Sequence, residues 1–166
     1  MTKFLLSLHV LAAILAVGPV TVAASMFPPA VRRVASPVPA GGAGGHAPDA
    51  GDAGDVGTVR LLHRICRVYA GLGIAVPVLG LATAVAMGVL GDAWLVTSIA
   101  LTAAAAGVLV AFVLPRQEEL LEEVADRRPV ERARTARLAM FTGLFNLLWA
   151  TVTVLMIVRP GSTTGA

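Results

Sequence analysis

Apolar residues fall into four long runs, which polar segments separate. The runs cover residues 4–24, 68–90, 94–114 and 138–158, and none of them contains Asp, Glu, Lys or Arg. A helix of such a length rises about 31–35 Å, which matches a hydrocarbon core of about 30 Å. Helices also satisfy every backbone amide internally, as lipid requires. The pattern predicts an all-α polytopic membrane protein, with residues 1–166 forming a single four-helix transmembrane bundle.

The composition favours the same class of protein. The chain is 57% hydrophobic and 14% charged, whereas a soluble domain is about one quarter charged. The basic residues lie beside the apolar runs and not in a patch with exposed aromatic residues, which argues against a nucleic-acid partner. The single cysteine, Cys66, excludes an internal disulfide framework and a CxxC metal site.

The distribution of basic residues predicts the topology. Eleven of the 13 lysines and arginines lie in residues 25–67 and 115–137, and only Lys3 and Arg159 lie elsewhere. The positive-inside rule therefore places both segments in the cytoplasm and both termini outside. The excess of arginine, with abundant Ala and Gly, is typical of a GC-rich bacterial genome, so we expect a bacterial plasma membrane. Cleavage of the first run as a signal peptide would disrupt this arrangement, and the run is longer than a usual signal core.

The two polar segments differ in character. Residues 35–57 are nearly all Pro, Gly, Ala, Val and Asp, a composition that predicts a flexible cytoplasmic linker. Residues 115–137 carry charges of both signs with leucines at helical spacing, which predicts an amphipathic cytoplasmic loop. Within this loop, Glu123 and Arg127 are spaced as an ion pair on one helix.

A short helical turn is predicted just before the second run. Arg60, Arg64 and Arg67 share one face of it, where they would contact anionic lipid headgroups. His63 and Cys66 lie in the same turn and are interpreted as interfacial residues.

Small residues recur at intervals of four in the second and third runs. The two rows are Gly80, Ala84 and Gly88, and Ala103, Gly107 and Ala111. Such rows let helix backbones approach closely. The pattern fits packing within one chain, and the alternative is the seam of a homo-oligomer. Asn146, near the middle of the fourth run, is predicted to bond a neighbouring helix, with a substrate contact as the alternative.

His9 is the only titratable residue well inside a predicted span, which makes it the candidate for chemistry. The topology places His9, Met87 and Met156 at one membrane depth, near the outer surface. Imidazole and thioether groups suit copper(I) or His/Met ligation of haem. The alternative is that the methionines simply pack and that His9 bonds a neighbouring helix.

Three short motifs stand out when taken together: residues 3–13 (KFLLSLHVLAA), Trp94-Leu95 and residues 156–160 (MIVRP). The combination resembles the domain-of-unknown-function family 2269 of bacterial integral membrane proteins. The resemblance covers the chain apart from the linker at residues 35–57, and it implies a four-span membrane protein. More distantly, Leu8-His9 is similar to the first helix of copper-resistance D-type proteins and of haem-binding membrane protoporphyrinogen oxidases. That similarity implies a metal- or haem-associated role for His9.

The sequence therefore leads to one main functional hypothesis and two alternatives. The chain contains no GxSxG, HExxH or P-loop motif. We expect a non-enzymatic membrane protein that acts through helix packing or partner contacts. The alternatives are a haem- or copper-binding redox protein that uses His9, and a small oligomeric permease.

Overall fold

A computed structural model describes residues 2–35 and 49–161, and these residues form six α-helices and one π-helical turn. The α-helices are α1 (Thr2–Ala35), α2 (Asp49–Leu72), α3 (Ala75–Met87), α4 (Ala93–Val108), α5 (Leu114–Ala125) and α6 (Arg132–Val158). The π-helical turn, Leu109–Val113, joins α4 to α5 without a break.

The helices form four long rods, since α2 runs into α3 through a short turn at Gly73 and Ile74. Each rod includes a stretch that is long and apolar enough to cross a membrane. These stretches lie in Thr2–Ala35, Asp55–Met87, Ala93–Ala125 and Arg132–Val158. The described residues thus confirm the predicted fold class, an all-α bundle of four helices that can span a membrane.

Contacts along the rods show that α1 runs antiparallel to α6. The side chain of Asn146 on α6 reaches Ser25, and Arg32 further along α1 reaches Thr135 at the start of α6. The last turn of α1 and the first turn of α6 therefore lie at the same end of the bundle. We call this the arginine-rich end, because Arg32, Arg33, Arg132, Arg134 and Arg137 all lie there.

Several helices are longer than the predicted spans. α1 has 34 residues, which rise about 51 Å, so it exceeds a hydrocarbon core by about 20 Å. α2 begins at Asp49, inside the segment predicted as a linker, and residues 36–48 of that segment lie outside the described part of the chain. α1 and α2 thus extend beyond the predicted spans at the arginine-rich end.

The larger hydrophobic core lies toward the arginine-rich end. Its largest fully buried apolar side chains are Phe27, Leu120 and Leu138. A second, smaller cluster of Ala84, Trp94 and Leu95 closes the opposite end, where Val89 and Met156 pack against it. Many other large apolar side chains face outward along the rods, as lipid-facing residues of a membrane bundle would.

Gly88 ends α3. It was predicted to belong to a packing row with Gly80 and Ala84, but it does not take part in one. It adopts a left-handed conformation with φ of 71°, and its amide donates to the carbonyls of Ala84 and Val85. This is the usual way in which a glycine terminates a helix. The next helix begins near Trp94, whose ring nitrogen donates to Asp92 over 2.9 Å.

Candidate functional site

His9 is fixed in place by two residues of α3. Its Nδ1 lies 3.0 Å from the carbonyl oxygen of Val76. Because a carbonyl can only accept, Nδ1 must carry a proton, and in the neutral form of the ring Nε2 is then the nitrogen with the lone pair. The ring also packs on Gly80, where an added Cβ would lie only 2.9 Å from the His9 Cε1 atom. The glycine therefore makes room for the histidine.

The two methionines predicted as partners of His9 lie in different surroundings. Met87 is seven residues beyond Gly80, or about 10 Å further along the axis of α3. Met156 packs against the small cluster at the end opposite the arginines. Neither methionine is placed next to the His9 ring. The metal site formed by His9, Met87 and Met156 therefore stays a prediction.

The two rows of small residues have different environments. Gly80 and Ala84 face neighbouring helices, and Ala84 is 3% exposed. Ala103, Gly107 and Ala111 are exposed, and a Cβ on Gly107 would meet nothing within 4 Å. Contrary to the prediction, this second row does not pack within the chain, because the inward face of its rod carries the buried residues Ser98, Ala105 and Leu109 instead.

Three polar side chains form a buried cluster between α2 and α5. Gln117 is fully buried; its Oε1 lies 3.3 Å from His63 Nδ1, and its Nε2 donates to Cys66 Sγ over 3.5 Å. His63 and Cys66 are buried too, so their interpretation as interfacial residues was wrong. The reason is that α5 continues the third rod and covers them. One signal in the sequence could have identified Gln117: it shares a helix face with Leu120 and Val124.

Cys66 offers a direct test of this burial. A buried thiol is unreactive until the surrounding structure opens. We expect maleimide modification of the folded protein in mild detergent to be at least about tenfold slower than in SDS. The matched control is Arg64→Cys in a Cys66→Ser background, since Arg64 lies two residues earlier on the same helix and is exposed. Equally fast labelling of the two cysteines would contradict the buried cluster.

Glu123 in the charged loop has a different ion-pair partner from the predicted Arg127. Glu123 pairs with Arg134, which also binds Glu119 over 2.7 Å. The predicted partner Arg127 comes after the end of α5 and has a positive φ of 53°, so the helical spacing to Glu123 is not continued. The ion pairs therefore join α5 to α6.

Arg60, Arg64 and Arg67 are exposed on the face of α2 that points away from the core. Arg67 lies 4.0 Å from Glu118, and both side chains are well exposed. Exposed pairs of this kind contribute little to stability. The predicted contact of these arginines with anionic lipid headgroups stays a prediction.

Asn146 lies in a cleft between α1 and α6. Its Nδ2 donates to Ser25 Oγ over 3.1 Å, so it joins two helices. The cleft, which we call the α1–α6 cleft, has a volume of about 350 Å³. It is lined by Ser25, Pro28, Pro29, Arg32, Ala139, Thr142, Gly143 and Asn146. Two of its polar atoms, Asn146 Oδ1 and Thr142 Oγ1, are buried without a hydrogen-bond partner.

Comparisons with models of protein families, with curated proteins and with solved structures find no match to this chain. The class of protein is therefore defined by the fold: an all-α four-helix bundle whose apolar rods are compatible with an integral membrane protein.

Proposed function

We propose that this chain is a multi-pass protein of a bacterial plasma membrane, with its arginine-rich end in the cytoplasm and both termini outside. It acts without catalysing a reaction, through contacts with lipids and with membrane partners. The count of basic residues supports the orientation. The resemblance to the domain-of-unknown-function family 2269 supports the membrane class.

One observation carries the non-catalytic role. Polar side chains that could serve chemistry each join two helices: His9 bonds α3, Gln117 bonds α2, and Asn146 bonds α1. Interhelical hydrogen bonds are a general means of holding membrane helices together. The proposal assigns these residues to the scaffold that displays the lipid-facing and cytoplasmic surfaces.

A haem- or copper-binding protein is the second candidate, and the tautomer of His9 favours it. Metal-ligating histidines usually donate their other ring nitrogen to a carbonyl or carboxylate. His9 Nδ1 donates to Val76 in this way, which leaves Nε2 available as a ligand. His9 therefore fits one ligand position, where a bound metal would supply electron transfer.

Replacement of His9 separates the two candidates. We expect His9→Ala to lower the free energy of unfolding by about 1 kcal/mol, since it removes the bond to Val76. Elemental analysis should give the same iron and copper content for the wild type and His9→Ala, when both are purified in mild detergent from cells supplied with both metals. Near-stoichiometric metal in the wild type, lost in His9→Ala, would replace the leading proposal with the redox candidate.

A further inference from the structure

The α1–α6 cleft has the features of a lipid-binding site. We propose that it binds an anionic phospholipid of the cytoplasmic leaflet that carries a free hydroxyl at the level of its glycerol backbone. A monoacyl glycerophospholipid has this chemistry. The inference goes beyond the proposed function and takes from it only the membrane insertion and the cytoplasmic position of the arginine-rich end.

The hydrogen bonds of the cleft fix the orientation of the Asn146 amide. Ser25 Oγ donates its single proton to the carbonyl of Thr21 over 2.7 Å. Its contact with Asn146 must therefore be a donation from the amide nitrogen. This leaves Asn146 Oδ1 as a buried acceptor without a donor. An unpaired buried acceptor costs about 1–3 kcal/mol, so the cleft favours a ligand that donates a hydrogen bond.

Thr142 supplies a second unpaired group in the same cleft. It is 3% exposed, and its hydroxyl oxygen has no partner. Thr151 and Thr153 on the same helix instead donate to the carbonyls four residues earlier, over 2.9 and 3.0 Å. The Thr142 hydroxyl therefore does not use the bond that neighbouring threonines make, and it stays available to a ligand.

Two prolines in α1 remove a backbone donor at the cleft wall. Pro28 and Pro29 lie inside the helix and have no N–H. The carbonyl of Ser25 consequently loses the amide donor that a regular helix would supply four residues later. Ser25, Pro28 and Pro29 all line the cleft. A ligand hydroxyl that donates to Asn146 on α6 would therefore lie near a further acceptor on α1.

Arg32 determines the charge of the ligand and its direction. Its Nε donates to Thr135 Oγ1 over 3.3 Å, and Arg32 is among the residues that line the cleft, on the side of the arginine-rich end. Arginine binds phosphate oxygens through charge-assisted bonds. Ser25 lies seven residues, or about 10 Å, deeper along α1. The phosphate therefore lies at the surface, with the hydroxyl toward the membrane interior.

This direction distinguishes between classes of phospholipid. A headgroup such as phosphoglycerol places its hydroxyls on the water side of the phosphate, whereas a monoacyl lipid carries its hydroxyl on the glycerol backbone, on the membrane side. The surface next to the cleft suits an acyl chain. Met26 on α1 and Met140 on α6 directly follow the lining residues Ser25 and Ala139 in the chain, and they are 53% and 61% exposed.

The test compares two lipids that differ only in this hydroxyl. The full-length chain is reconstituted in phosphatidylcholine nanodiscs, and its affinity is measured for 1-acyl-glycerol 3-phosphate and for the 2-deoxy analogue. We expect the hydroxyl-bearing lipid to bind about fivefold more tightly. Thr142→Val should reduce this preference, because only the Asn146 acceptor then remains, while the matched Thr151→Val should leave it unchanged. Arg32→Gln should weaken binding of both lipids by about tenfold.

Each other outcome overturns the proposal in a distinct way. Equal affinity for the two lipids would exclude the role of the hydroxyl. Equally strong binding of glycerol 3-phosphate would indicate a soluble phosphate ester, and tighter binding of phosphatidylglycerol would indicate a hydroxylated headgroup. Alkaline carbonate extraction of the cell membranes separates the two proposals. A chain that is extracted refutes the proposed membrane insertion, whereas a retained chain without lipid preference refutes only the lipid site.

Discussion

Gly80→Leu is expected to lower the free energy of unfolding by about 2 kcal/mol. A Cβ at this position would lie 2.9 Å from His9 Cε1 and 3.2 Å from Nδ1. The ring cannot withdraw without loss of its bond to Val76, so the added side chain must displace α1 or α3. Overpacking of this kind costs about 1–3 kcal/mol, and the higher helix propensity of leucine offsets part of it.

Gly107→Leu is the matched control for this substitution. Gly107 occupies a comparable place in the other row of small residues, but its Cβ would meet nothing within 4 Å. We expect the SDS concentration at which half of Gly107→Leu is unfolded to be close to that of the wild type or higher. His9→Ala should recover much of the stability of Gly80→Leu, because it removes the atoms that clash. Equal effects at Gly80 and Gly107 would show that the His9 contact is not the cause.

These two glycines also show what the sequence could predict and what it could not. Period-four spacing of small residues predicted close helix approach equally for both rows. Which row faces a neighbour depends on the rotation of each helix in the bundle, and the nearly uniform apolar character of a membrane span does not record that rotation. His9 was singled out because an ionisable group in a span is unusual, but its partner is a backbone carbonyl, which leaves no trace in the sequence.

The extent of the helices was harder to predict than their number. Runs free of charged residues located the four rods, because lipid excludes charge. Beyond the runs, α2 and α5 stay helical through amphipathic faces that bury Val59, Leu62 and Leu120. Glycine and proline in residues 35–57 obscured the start of α2. The α1–α6 cleft was also missed in the sequence. It requires Ser25 and Asn146 to lie at the same height in the bundle, whereas the predicted spans placed Ser25 at the border of the first span and Asn146 near the middle of the fourth.

The ion pairs between α5 and α6 give the other large expected effect. Arg134 binds Glu119 and Glu123, and the Glu123 side chain is only 14% exposed. Its second oxygen, Oε2, is buried without a partner. Arg134→Ala would thus leave a mostly buried carboxylate without its cation. Loss of one partner from a fully buried pair costs about 3–5 kcal/mol, and the partial exposure of Arg134 reduces our expectation to about 2 kcal/mol.

Arg128→Ala provides the comparison within the same loop. Its pair with Asp126 has a similar length, 2.8 Å, but the two side chains are 56% and 62% exposed. Water already solvates both charges, so we expect a loss below about 0.5 kcal/mol. Replacement of both Glu123 and Arg134 by methionine should restore most of the stability lost in Arg134→Ala, because no buried charge is then left unpaired. Thermal unfolding in one detergent compares the four proteins. Equal losses for Arg134→Ala and Arg128→Ala would mean that the α5–α6 pairs are as fully solvated as the exposed one, and that the apolar contacts of Leu120 and Leu138 alone hold the arginine-rich end together.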